Sequence, residues 1–467
     1  MRGAGSGQRA AVVRGRRVVT PDGTRPAAIH IDDGRIIRVA AFDDVGLRSP
    51  AHPAPRTPDL VEANDLLIIP GLVDTHVHVN EPGRTGWEGF ETATRAAAAG
   101  GVTTLLDMPL NSVPATTSAE ALRAKVGAAR GKTWVDVGFI GGVVPGNAGQ
   151  LAELADAGVL AYKCFLVPSG VDEFHHIDDA DLREAMPILA RLGLPLMVHA
   201  ELPGPIEEAL PGLIGADRRR YATYLASRPE QAEWLAVERI VEACAETGAR
   251  AHIVHLSSSI SVDVLRVARR NGVPITAETC PHYLALDAAE IPDGATEFKC
   301  APPIRDRANR EALWDALVRG DVDMIVSDHS PCPPSMKQRE SGDFFAAWGG
   351  IASLQLGPSV VWQGMRARGL PFECLARWMS DAPARLAGLE GRKGRIAPGY
   401  DADLVLWDPD AEWTVEAERL LHRHKLTPYL GRRLPGVVEA TYVRGELAYD
   451  RRGGPVGVPG GQLIEGR

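Results

Sequence analysis

Between residues 71 and 392 one phrase of apolar and polar positions recurs: a stretch with helical spacing ends at glycine, and shortly afterwards a short unbroken apolar run begins. It occurs at Gly101, Gly158, Gly193, Gly248, Gly272 and Gly320. Glycine just past a helix accepts the left-handed conformation that closes the last turn, and a continuous apolar run is the mark of a parallel strand buried on both faces. Eight runs qualify: Leu72–Val79, Thr103–Met108, Trp134–Phe139, Ala161–Phe165, Pro195–His199, Ala251–Leu256, Pro274–Thr279 and Asp323–Asp328. Strands alternating with helices in this number predict an α/β fold, a closed (β/α)8 TIM-like barrel. The unequal lengths of the repeats exclude a solenoid.

The two ends of the chain read differently. Ala11–Val39 holds short β-like runs separated by Pro21-Asp22-Gly23 and Asp33-Gly34, both turn sequences, and Leu404–Trp407 and Thr441–Tyr449 supply similar runs after the barrel. The predicted organisation is a barrel over 71–392 and a smaller β-sandwich domain assembled from 1–70 and 393–467, with the Gly- and Pro-rich stretch Gly453–Arg467 as an extended tail.

Composition narrows the function. Of 467 residues 24% are charged, and 51 basic against 60 acidic side chains leave a formal charge of −9 without a basic block, which argues against nucleic acid as a partner. Nothing approaches a membrane span, and the Gly-rich start, Met1–Gln8, is not followed by the apolar core of a signal peptide. The six cysteines, Cys164, Cys244, Cys280, Cys300, Cys332 and Cys374, include no C-x-x-C pair and suit free thiols in a reducing cytoplasm.

The ends of the predicted strands carry the chemistry. The first reads Val73-Asp74-Thr75-His76-Val77-His78, and residues two apart on a strand share a face about 6.6 Å apart, close enough for two imidazoles to converge on one metal. His199 ends the fifth strand, His255 lies at the end of the sixth and Asp328 at the end of the eighth. A parallel barrel builds its active site at this edge of the sheet, so four histidines and an aspartate are expected at one mouth. Lys163 stands in the otherwise apolar run Val159-Leu160-Ala161-Tyr162-Lys163-Cys164-Phe165-Leu166. A buried ammonium beside metal ions is costly, and two resolutions are open: an ion pair with a nearby acid, or reaction with carbon dioxide to a carbamate. His175 and His176 read as solvated loop residues; His282 lies near the mouth outside the ligand scheme, and His422 and His424 lie in the terminal domain.

These strands in this order resemble the amidohydrolase superfamily, in its dihydroorotase, hydantoinase and allantoinase branch, and the likeness covers nearly the whole chain. The resemblance implies two divalent metal ions, zinc by family habit, with His76, His78 and Asp328 on one, His199 and His255 on the other, and N6-carboxylated Lys163 and a hydroxide between them. Within the branch, Asn80-Glu81-Pro82-Gly83-Arg84-Thr85-Gly86-Trp87-Glu88-Gly89-Phe90, Met108-Pro109-Leu110-Asn111, Lys299-Cys300-Ala301-Pro302-Pro303-Ile304-Arg305 and Ser327-Asp328-His329-Ser330-Pro331-Cys332-Pro333 look like the allantoinase form. Dihydroorotases usually carry arginine where this chain has Asn80, and hydantoinases usually place tyrosine where it has Pro168.

The reaction so implied is hydrolytic opening of the hydantoin ring of allantoin to allantoate, in purine catabolism, with Asp328 as the catalytic proton carrier. Asn80, Asn111 and Ser330 are the expected substrate contacts, because they sit just beyond strand ends. The resemblance also implies a homotetramer. Two alternatives remain at this stage: a hydantoinase or dihydropyrimidinase of the same mechanism, and a relative that keeps the barrel as a non-catalytic scaffold.

Overall fold

The computed structural model describes residues 10–49, 52–56 and 59–466. Met1–Gln8, read above for targeting, lies outside the described residues. Eight parallel strands form the barrel: Leu72–Val77, Val102–Asp107, Asp136–Gly142, Ala161–Phe165, Leu196–His199, Ala251–Ile253, Ile275–Thr279 and Met324–Ile325. Each pairs in parallel with the next. The ring is completed where Val77 bridges His329 and the His78 amide donates to the His329 carbonyl at 2.8 Å.

Why these runs become central strands follows from their side chains. Leu72–Val77 and Val102–Asp107 are buried at every residue, helices cover the outside, and the apolar surface removed from water drives the packing. The helices stop at the predicted glycines. Gly193 and Gly248 hold φ at +70° and +71° and donate to the carbonyls of Leu189 and Cys244 at 2.9 and 2.8 Å, a conformation that a Cβ would strain.

Both ends of the chain contribute to a second sheet of nine strands, in which Leu404–Thr414 lies between Leu67–Pro70 and Arg433–Val443. Val13, Ile29, Ile68 and Leu404 pack into its apolar core. A buried ionic knot fastens this sheet to the base of the barrel: Lys393 Nζ lies 2.6, 2.7 and 3.0 Å from Asp136, Asp403 and Asp401, and Arg444 pairs with Asp136. Asp136 opens the third barrel strand, so the knot sits at the face opposite the mouth, where structural roles are expected.

The C-terminal stretch, read from its Gly and Pro content as an extended tail, is docked along its length. Gly454–Pro455 extends the terminal sheet, Leu463–Ile464 pairs in parallel with Val137–Gly138 of the barrel, and Gln462 donates to Asp136 at 2.8 Å. Gly461 permits this docking, since a Cβ there would come within 2.0 Å of the Val135 carbonyl oxygen.

Candidate metal centre

His76, His78, Lys163, His199, His255 and Asp328 come from five different strand ends and all line one cleft of about 500 Å³ at the C-terminal mouth. The imidazole pairs His76–His78, His76–His255 and His199–His255 have ring centroids 5.5, 5.3 and 4.6 Å apart. His76 Nε2 and His78 Nε2 face the same Asp328 oxygen, at 3.3 and 3.5 Å.

The tautomers decide what that convergence means. Nδ1 of His76 lies 2.5 Å from Glu278 Oε1; with Glu278 as the carboxylate that accepts from Nδ1–H, Nε2 is left as a lone pair directed at Asp328. Burial, the largest effect, holds His76 well below the ordinary imidazole range, and neighbouring Lys163 pushes it the same way. Burial lowers His78 as well. Lone pairs and a carboxylate oxygen meeting out of water repel unless a cation lies among them, so the donor set fits a divalent metal.

On the other side of the mouth, His199 Nε2 is bound to Glu201 at 2.7 Å, and Glu201 is clamped by Arg228 at 2.5 and 3.0 Å. Burial raises the Glu201 carboxyl, but Arg228 and His199 outweigh it and hold it at about 2. A fixed carboxylate on Nε2 turns Nδ1 of His199 into the free donor. His255 Nδ1, fully buried, has no hydrogen-bond partner. His199 stacks on Phe165, centroids 4.6 Å apart and planes 15° apart, which fixes the ring.

Lys163 is fully buried, and its Nζ makes no hydrogen bond among the described residues. Burial pulls its pKa down to about 8, against the pull of Glu278 and Asp328 in the other direction. Of the two resolutions open from sequence, a direct ion pair is the one this geometry lacks. The amine has an accessible neutral form and space at the cleft.

Backbone conformation sharpens the site. His255, Asp328 and Asn111 hold φ at +40°, +43° and +68°, a left-handed region costly for side-chain-bearing residues, of order 1–3 kcal/mol each. The eighth strand is short, Met324–Ile325, and beyond Val326 the chain turns at Asp328 to aim its side chain inward. Asp74 holds this turn against the first strand, accepting from the amides of His76 and Ser327 at 3.1 Å each. Asp107 similarly accepts from Val79 at 2.8 Å and pairs with Lys125 at 2.9 Å.

Of the three expected substrate contacts, Asn111 and Ser330 line the cleft. Asn80 does not line it: it is fully buried, with its amide 3.4 Å from the Pro331 carbonyl, and braces the loop after the eighth strand. His175 and His176 are exposed. The sequence reading assigned no role to Glu278, Glu201, Asp74 or Asp107, although a glutamate inside the run Ile275-Thr276-Ala277-Glu278-Thr279 is a legible anomaly.

A barrel with this mouth matches the Amidohydrolase family over residues 67–448, and the chain belongs to that family. Its sequence is similar to the allantoinase of Streptomyces avermitilis, 48% identical over 93% of this chain and 94% of that one. It is 44% identical to the allantoinase of Arabidopsis thaliana, over 94% and 87% of the two chains. Among solved structures, the L-hydantoinase (dihydropyrimidinase) of Arthrobacter aurescens superposes with a TM-score of 0.91 at 28% identity, covering 98% of this chain and 100% of that one. Among the described residues no helix is long and apolar enough to cross a membrane.

Proposed function

We propose that the chain is an allantoinase, opening the hydantoin ring of allantoin to allantoate at a binuclear zinc centre. The observation that carries the reading is the convergence of four imidazoles, Asp328 and an unpartnered buried lysine on one cleft, in a chain 48% identical to an allantoinase. His76, His78 and Asp328 would hold one ion, His199 and His255 the other, and Lys163 would reach both as a carbamate. Carbamate formation joins the neutral amine nitrogen to the carbon of CO2 and releases one proton; the product is an anion, which suits a position between cations. When bound, the ions polarise a carbonyl and bring the pKa of a water toward neutrality.

The residues of the chain perform the remaining tasks. Asp328, aimed inward by its left-handed backbone, takes the proton of the attacking water on a carboxylate oxygen and returns it to the departing ring nitrogen. Glu278, by accepting from Nδ1–H of His76, and Glu201, by fixing His199, keep both donor atoms unprotonated. Asn111 Oδ1 has no partner and is available to a ureide N–H.

The cleft also discriminates by charge. Its lining cations other than Lys163 are committed: Arg228 to Glu201, and Lys299 to the carbonyls of Ala347 at 2.5 Å and Phe345 at 3.3 Å. Arg228 is neutralised by Glu201 and burial pulls Lys299 down to about 7, so a carboxylate-bearing ring finds only weakened side-chain cations there, whereas allantoin is uncharged. Removing metal with a chelator should abolish allantoin opening, and zinc with bicarbonate should restore it; full turnover by metal-free protein would refute the proposal. Size-exclusion measurements would test the accompanying tetramer.

A further inference from the structure

The seventh strand runs into Cys280-Pro281-His282, and neither Cys280 nor His282 lines the cleft that holds His76 and His78. Cys280 Sγ, a ring nitrogen of His282 and a carboxylate oxygen of Asp328 all lie within 4.8 Å of one another, and all three residues are buried. His282 is fully buried with both ring nitrogens unpartnered, which is costly for a polar ring that has no other task. Its ring packs against Tyr283 in a T-shaped contact, with centroids 4.2 Å apart and planes 64° apart. A thiol, an imidazole and a carboxylate at this spacing are the donors of a borderline-soft cation.

We propose that Cys280, His282 and Asp328 form a further metal site, selective for zinc or cadmium over harder ions, and that filling it inhibits the enzyme. Binding replaces the thiol proton, which passes to water, by a metal–thiolate bond. Asp328 belongs to both donor sets, so a cation held by Cys280 and His282, which lie outside the cleft lining, competes with the mouth for its carboxylate. Inhibition by excess zinc then follows from competition for one side chain. The assignment of inhibition rests on Asp328 being the proton carrier proposed above; the existence of the site does not.

The test is a cadmium titration of the full chain after its high-affinity metal has been loaded, followed by metal analysis and by the ultraviolet charge-transfer absorption of cadmium bound to thiolate. The expected result is one additional equivalent of cadmium, the thiolate band rising with it, and loss of allantoin turnover in step. Cys280→Ser should lose the band and keep its turnover at cadmium concentrations that silence the parent, while Cys300→Ser, a thiol lining the cleft, should keep the band. His282→Gln should weaken the additional equivalent and serves if the serine variant does not fold. Absence of the band in the parent, or its persistence in Cys280→Ser, would overturn the site. A band that rises without loss of turnover would overturn the inhibition and, with it, the shared role of Asp328. Failure of the first metal equivalents to bind, with the band intact, would instead count against the binuclear centre.

Discussion

Glu278 Oε1 lies 2.5 Å from Nδ1 of His76, while its other oxygen holds Nε2 of His252 at 3.0 Å, so one buried carboxyl group fixes two imidazoles from different strands. Burial pushes Glu278 up to about 8, with Lys163 and the His255 amide pulling it down. A nearby metal ion would oppose that rise and favour the carboxylate, which in turn raises the basicity of Nε2 toward the metal.

From this relationship, Glu278→Gln should weaken metal binding about 10- to 100-fold while leaving the barrel folded. Competition with a chromophoric chelator measures it, and unchanged affinity would remove Glu278 as the orienting group.

Asp328→Asn should keep most of the metal and lose turnover by about 10²- to 10⁴-fold, the range of a lost general acid–base group. An active variant would transfer the proton to another group.

Lys163→Ala should lose both activity and metal, because it removes the link between the two halves of the donor set. Metal analysis in parallel with turnover checks it; two ions retained per chain would show that Lys163 is not needed to hold them.

The Lys393 knot predicts a stability effect separate from chemistry. Lys393→Met leaves Asp136, Asp401 and Asp403 buried around an apolar side chain, with Arg444 the one remaining cation on Asp136. Breaking a buried ion pair in this way costs about 3–5 kcal/mol. Denaturant unfolding should show this loss while the KM of the folded fraction stays unchanged.

Glu201 predicts a pH dependence. A carboxyl held at about 2 in the folded chain, against about 4.3 unfolded, stabilises the fold above the unfolded value, and that contribution fades as pH falls toward 2. In metal-free protein, Glu201→Gln should flatten the melting temperature against pH across that interval; a parallel curve displaced downward would contradict the shift.

Much of this was legible before any coordinates. The eight barrel strands announce themselves because a strand buried on both faces must be apolar throughout, and the capping glycines punctuate them. Strand limits were less legible: Gly141 and Gly142 extend the third strand beyond its apolar run, because there pairing with Tyr162 and Lys163, not side-chain hydrophobicity, decides. The convergence of six chemistry-bearing residues on one mouth was readable from their shared position at strand ends. Their supports were not. Glu278 is 202 residues from His76, and the barrel, not local spacing, brings them together. Asn80 lies two residues after His78, yet the chain turns it under the neighbouring loop and away from the cleft. The Gly- and Pro-rich C-terminal stretch has the composition of a free segment, and it docks because Leu463 and Ile464 find an available strand edge on the barrel.

The most direct test is steady-state hydrolysis of allantoin, hydantoin, dihydrouracil and dihydroorotate by the zinc-loaded enzyme supplied with bicarbonate, with Lys163→Ala alongside. The account predicts that allantoin is opened with the highest kcat/KM, that dihydroorotate is the poorest substrate because the side-chain cations of the cleft are already engaged by Glu201 and by backbone carbonyls, and that Lys163→Ala opens none of them. Preference for another ring, or undiminished activity in Lys163→Ala, would contradict it.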